Sequence, residues 1–148
     1  VVFEHDYVKY PELTNNQINE FGFLSPHVQY TEDFFARVVK VHDGDTVTLR
    51  TDSRDFDFPL RILGIDAPEL SEGGHKSRDW LKSLINGKDV YIVINPYQRV
   101  GKYGRLLGEV IFQGLNMGEL ALAGGHAEVF GSKEDFSVPN VKRWFKNA

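Results

Sequence analysis

The sequence predicts a mainly-β domain of the α+β class, a small barrel of five strands with two to three short helices and an N-terminal extension. Three observations predict it. Short runs with a period of two recur between residues 35 and 112, turn dipeptides such as Asp43-Gly44 bound them, and segments of helical spacing interrupt them. Strands interleaved with short helices in a chain of this size suit a small barrel.

Residues 1–34 read as an extension packed on or beside a domain spanning 35–148. Thr14 and Gln17 have capping-box spacing, and Leu13 is placed to staple onto Ile18, which predicts a short helix to about Glu20. Gly22 and Ser25-Pro26 break it. From Phe35 the period becomes two: Phe35, Arg37, Val39 and Val41 alternate with Ala36, Val38, Lys40 and His42 up to Asp43-Gly44. Thr46 to Leu49 are β-favouring, so this region predicts a hairpin. A third strand is expected from Phe58 to Ile65, with Pro59 tolerable at a strand start or edge. After a loop at 69–74, Trp80, Leu81, Leu84 and Ile85 mark a helix over 76–86 that exposes Lys76, Arg78 and Lys82 and ends at Asn86-Gly87. Val90–Ile94 and Arg105–Phe112 complete the strands, and the polar loop 95–104 between them is where binding groups tend to sit. A second helix is expected over Asn116–Ala123, and residues 141–148 have room for about two helical turns.

The chain has 148 residues, enough for one core and too few for two ordinary domains. With 41% hydrophobic and 26% charged residues the composition is globular, not disordered. No apolar run is long enough for a membrane span, so a soluble protein is expected. The absence of cysteine excludes disulfides and thiolate metal sites but leaves the compartment open. The first residues carry no signal peptide, although a leader removed earlier is compatible with the sequence.

A formal charge of −4 argues against a domain that grips nucleic acid mainly by counterion release. The charge is unevenly spread. Residues 1–35 set six acids against Lys9, whereas residues 76–105 set Lys76, Arg78, Lys82, Lys88, Arg99, Lys102 and Arg105 against Asp79 and Asp89. A basic face of this kind suits transient contact with a polyanion, and a solvated helix face plus a loop accounts for it equally well. The acidic extension is a candidate for masking that face.

Three segments combine charge with tight backbone geometry: Asp43-Gly44-Asp45-Thr46, the run from Arg61 through Asp66-Ala67-Pro68-Glu69, and Lys102-Tyr103-Gly104-Arg105. Singly, each has a plain structural reading: a hairpin turn, an arginine paired to a carboxylate, a helix cap, a tyrosine packed on a strand edge. Carboxylates at Asp45 and Asp66, if brought together, would repel unless a cation sat between them. With no cysteine and no clustering among His5, His27, His42, His75 and His126, the donors are oxygens, which favours Ca²⁺ or Mg²⁺ over zinc.

In this order and spacing the three segments resemble the signature of the staphylococcal nuclease (thermonuclease) family, over about Phe35 to Phe130. The resemblance implies an OB-fold barrel and a calcium-dependent nuclease that hydrolyses phosphodiester bonds of DNA or RNA by in-line attack of water, leaving 3′-phosphate ends. It implies Asp45, Asp66 and the backbone carbonyl of Ala67 as metal ligands, with Ca²⁺ ahead of Mg²⁺; many members have threonine where this chain has Ala67. It implies Arg61 and Arg105 as phosphate clamps, a task suited to guanidinium, which offers paired donors and keeps its charge. Glu69 would be the general base, or would orient the water. Lys102 and Tyr103 would touch a flanking phosphate, and Phe130 would stack on a base where the prototype has tyrosines. Such a protein would act on nucleic acid as a monomer without a membrane. The alternative is a nuclease-like binding module for nucleic acid or protein, and the presence of all five of Asp45, Arg61, Asp66, Glu69 and Arg105 favours the enzyme.

Overall fold

Alternating, β-branched sequence forms strands here because each can bury one face against the same core. The computed structural model describes residues 9–15, 28–101 and 104–129. Strand β1 (Phe34–Asp43) turns through Gly44-Asp45 into β2 (Thr46–Arg50), which pairs with β3 (Phe58–Ile62). A two-residue strand β4 (Ile65–Asp66), a 3-10 turn (Leu70–Glu72) and helix α1 (His75–Ile85) follow. Then come β5 (Asp89–Val93), β6 (Leu106–Phe112), β7 (Leu115–Asn116), helix α2 (Met117–Ala123) and β8 (Glu128–Val129). The sheet order is β3-β2-β1-β5-β6-β7, and a parallel pairing of β3 with β6 closes the five long strands into a barrel. This is the mainly-β α+β barrel the sequence predicts.

Val38, Val47, Leu49, Phe58, Leu60, Ile92, Leu106 and Val110 fill the interior, and Leu81 and Ile85 of α1 with Met117 and Ala121 of α2 cap it. Helix α2 begins where the Asn116 side chain accepts the Glu119 N–H at 3.1 Å, the usual role of asparagine at a helix start.

Two expectations need correction. The expected third strand, Phe58–Ile65, is two strands: Gly64 at φ 87° turns the chain, so that Ile65 and Asp66 leave β3 and pair instead with Val129 and Glu128 of β8. The second concerns β1. Its simple alternation fails, because β1 carries an extra residue relative to β2 between Val38 and Lys40 and another between Val41 and Asp43. After Ala36 and Val38 the buried positions are Val41 and Asp43, so Lys40 and His42 face outward. A β-bulge re-aims side chains in this way, and here it turns a carboxylate inward at the end of the strand.

The N-terminal segment is tied to the barrel by buried arginines. Arg54 forms a two-pronged ion pair with Glu12 at 2.6 and 2.8 Å, both side chains fully buried, and donates twice to the Val28 carbonyl. Its guanidinium also lies 4.4 Å from the ring centres of Tyr30 and Phe58. Arg99, expected on a basic face, is buried instead: it donates to the carbonyls of Tyr30 and Leu13 and to the Asn15 side chain. Glu12 is therefore engaged in the interior and not with the cations of α1. The helix expected over 14–20 lies, beyond Asn15, outside the described residues, as does segment 141–148.

Removing one partner of a buried pair strands the other charge, at a cost of about 3–5 kcal/mol. Glu12→Gln is expected to lower the thermal midpoint by roughly 10–16 °C. The paired replacement Glu12→Leu/Arg54→Met should recover part of that loss, as scanning calorimetry of the single and double variants will show.

Candidate active site

The turn between β1 and β2 places Asp43, Gly44 and Asp45 at one end of the barrel. Asp43 Oδ1 accepts the Asp45 N–H at 3.0 Å, an Asx-type contact that tightens the turn, and the Asp45 carbonyl accepts the Ile62 N–H at 2.7 Å. Asp45 is thereby fixed beside the end of β3. Gly44 is required by packing: a Cβ there would stand 2.7 Å from the Cβ atoms of both Ala67 and Ser77, closer than carbon atoms approach. The turn thus presses against the Asp66-Ala67-Pro68-Glu69 run and the first turn of α1.

Arg61, buried at the end of β3, organises the charges. Its Nη1 donates to the carbonyls of Ile62 at 2.9 Å and Ile65 at 2.6 Å, holding the chain around Gly64. Its Nη2 lies 2.5 Å from Asp66 Oδ1 and 3.5 Å from Asp45 Oδ2. Asp45 and Asp66 therefore reach one guanidinium from two separate stretches of chain. Asp45 Oδ2 also accepts the Ala67 N–H at 2.8 Å, and Oδ1 accepts from the Thr46 hydroxyl at 3.0 Å. Arg105 comes from the far side, donating to Thr46 Oγ1 at 3.5 Å.

Burial, with the nearby Asp43, pushes the Asp45 carboxyl above the usual aspartate range, while Arg61 and the Ala67 N–H act in the opposite direction. The anion is thus under-compensated by the protein alone. Asp66 Oδ2 is buried and lacks a hydrogen-bond partner. An orphaned carboxylate oxygen beside a second, desolvated carboxylate is an arrangement a hard cation fits. No group of three or more His, Asp or Glu side chains among the described residues is arranged to hold a metal, so an ion here would rely on Asp45, Asp66 and backbone or water oxygens.

Glu69 is exposed, at the start of the 3-10 turn, where its carbonyl accepts the N–H groups of Glu72 and Gly74, both at 2.9 Å. The structure brings together Asp45, Arg61, Asp66, Ala67 and Arg105, with Glu69 three residues beyond Asp66. Lys102, Tyr103 and Phe130 lie outside the described residues.

Sequence reasoning missed several residues that shape the site. Thr46 bridges Asp45 and Arg105, and Asp43 is buried behind the turn. Glu128 stands opposite Asp66 across β4 and β8. Ser77 donates to the His126 carbonyl at 2.6 Å, while Trp80 stacks on His126 at 4.3 Å, tying α1 to the segment that leads into β8. Only Asp43 and Thr46, which flank Gly44-Asp45 in the turn already marked by its charge, carried a local signal.

A closed five-stranded barrel with carboxylates and guanidinium groups gathered where β1, β3 and the loop before β6 meet is an OB-type domain with a charged cluster at one end. The comparison with known families agrees with that fold: residues 59–147 match the family described as staphylococcal nuclease homologue, and the chain belongs to that family. It is similar to an uncharacterized endonuclease of Escherichia coli, 40% identical over 100 residues that cover 66% of this chain and 62% of the relative. It is also similar to an uncharacterized protein of Methanocaldococcus jannaschii, 29% identical over 84% of this chain and 72% of that protein. A probable staphylococcal-like nuclease of Oryza sativa subsp. japonica is 35% identical over 62% of this chain and 23% of its own length. The chain thus spans less than two thirds of the Escherichia coli relatives it matches.

Gly44→Ala is expected to lower stability by about 1–3 kcal/mol, the usual cost of forcing extra volume into a packed site. Denaturant titration checks it, and an unchanged midpoint would mean that the turn does not depend on its contact with Ala67 and Ser77.

Proposed function

We propose that this chain is a nuclease, calcium-dependent, hydrolysing phosphodiester bonds of DNA or RNA by in-line attack of water and leaving 3′-phosphate ends. The observation that carries the reading is the sharing of one guanidinium by Asp45 and Asp66, with Arg105 one hydroxyl away, in a chain of the staphylococcal nuclease family. The names of the Escherichia coli and rice relatives support it. All-oxygen donors support Ca²⁺, with Asp45, Asp66 and the Ala67 carbonyl as the holding groups and Mg²⁺ as the second choice. When bound, such an ion supplies charge for the phosphoryl oxygens and lowers the pKa of a bound water.

The residues of the chain divide the remaining work. Arg105 and Arg61 offer N–H donors to the non-bridging phosphate oxygens, whose negative charge grows as phosphorus becomes five-coordinate, so these contacts strengthen in the transition state. Arg61 already spends Nη1 on the Ile62 and Ile65 carbonyls, which holds its orientation before substrate arrives. Glu69, exposed and close in sequence to Asp66, accepts the proton of the attacking water at its carboxylate, or holds that water in line. Lys102 and Tyr103 are proposed to meet a flanking phosphate, and Phe130 a base. The domain is proposed to act as a monomer. No helix among the described residues is long and apolar enough to cross a membrane.

A gel assay on single- and double-stranded DNA and RNA with Ca²⁺, Mg²⁺ or EDTA tests the reading. Degradation that requires Ca²⁺ is expected, and intact substrate under every condition would reject a nuclease in favour of a binding module. Glu69→Gln should lower turnover by about 10²- to 10⁴-fold with metal affinity retained. Asp45→Asn should weaken Ca²⁺ binding in calorimetry, and undiminished affinity would remove Asp45 from the ligand set.

A further inference from the structure

Beside the charged cluster, a groove of about 510 Å³ runs between β1 and α1. Its polar lining is Lys40 and His42 from β1 with Arg78, Lys82 and Asn86 from α1 and its end, and no carboxylate among the described residues lines it. Lys40 and His42 reach it because the β1 bulge turns them outward. The groove neighbours the site along the chain: His42 immediately precedes Asp43, and Leu70, which also lines it, immediately follows Glu69. Its far end is pinned, since Gly87 donates to the Val38 carbonyl at 2.7 Å and Val38 donates to the Lys88 carbonyl at 2.9 Å.

The charges in this groove are left largely uncompensated. Lys40 and Lys82 are exposed and have no ion-pair partner among the described residues, while Arg78 shares Asp79 at 3.1 Å. A groove of similar size on the other part of β1 provides the contrast: there Arg37 and Arg50 are neutralised by Asp89 and Asp57 at 2.9 and 2.8 Å. Residues 78, 82 and 86 fall in one column on α1, four apart, rising about 12 Å from Arg78 to Asn86. At about 3.4 Å per nucleotide in a stacked strand, that column covers roughly three phosphates.

We propose that this groove binds the sugar–phosphate backbone of a single nucleic-acid strand on the flank of the scissile phosphate, with Lys40, Arg78 and Lys82 as phosphate contacts and His42 and Asn86 as additional hydrogen-bond donors. The proposal rests on the nuclease reading of the adjacent site and adds to it a track for the strand beyond the reacting phosphate. A volume of about 510 Å³ admits the backbone of one strand and not the body of a duplex. The contacts are to backbone only, so the groove contributes affinity and register without base preference.

The test is equilibrium binding of a fluorescent 12-nucleotide single strand in EDTA, by anisotropy over 50–300 mM salt. Three proteins are compared: wild type, Lys40→Gln/Lys82→Gln, and the charge-matched Lys76→Gln/Lys88→Gln, whose sites do not line the groove. The groove variant is expected to bind roughly tenfold more weakly at 100 mM salt. Its log–log salt slope should be shallower by about 1.4, that is about 0.7 for each phosphate of a single strand that the variant no longer neutralises. The charge-matched variant should weaken less than half as much. Equal weakening in both variants, a wild-type slope in the groove variant, stronger binding of duplex than of single strand, or no single-strand binding by wild type would each overturn the proposal. Cleavage by wild type in Ca²⁺ is assayed in parallel, because a protein that binds the strand through this groove but never cuts it would reject the nuclease reading while leaving the groove standing.

Discussion

Arg61 is the residue around which the charged end of this barrel is built. A guanidinium buried at the end of β3 must find acceptors for its fixed fork of N–H groups, and it finds them in the Ile62 and Ile65 carbonyls and in Asp66. Those contacts hold the chain through the reversal at Gly64, so that Asp66 returns toward the β1–β2 turn and Asp45. Without a buried cation the two carboxylates would stand close together in a poorly solvated place, and their repulsion would open the turn. One side chain therefore serves the fold and the site together. It is also the reason the site can keep an under-compensated Asp45 and an unpartnered Asp66 oxygen, features that cost stability and that the proposed cation and phosphate binding would use.

A second pair of arginines fixes the opposite relationship, that of the N-terminal segment to the barrel. Arg54 reaches Glu12 and Val28, and Arg99 reaches Leu13, Asn15 and Tyr30, so two barrel loops hold the same incoming segment. Arg99 belongs to the loop that leads into β6, and its carbonyl accepts the Leu107 N–H at 2.7 Å. The segment and the loop that delivers Arg105 thus share an anchor. Buried ion pairs contribute little net stability compared with apolar packing, but they demand a specific partner geometry, and here they fix where the extension runs.

The β1 bulge connects these features with the surface. By adding a residue between Val38 and Lys40, it exchanges which side chains face the core, so that Asp43 turns in behind the β1–β2 turn while Lys40 and His42 turn out along α1. One local irregularity thereby sets the burial of an acid and the position of two cationic or hydrogen-bonding groups. The alternation of β1 read without that slip places Lys40 and Val38 on the same face, the opposite of what the barrel requires.

What the sequence alone determined is the class of fold, the order of its elements and the cluster of charged residues. These are properties of local pattern: the β-favouring runs of β1, β2 and β6, the helical spacing of Trp80, Leu81, Leu84 and Ile85, and turn-forming glycine and aspartate at fixed places. Tertiary structure alone decided the rest. The break at Gly64, the slip in β1, the burial of Arg54 and Arg99 and the pairing of Asp66 with Glu128 all depend on contacts between residues far apart in the chain. A lysine or arginine looks the same in sequence whether it is solvated or held by a distant carboxylate, and only the closed barrel, by bringing those partners within hydrogen-bond distance, tells the two apart.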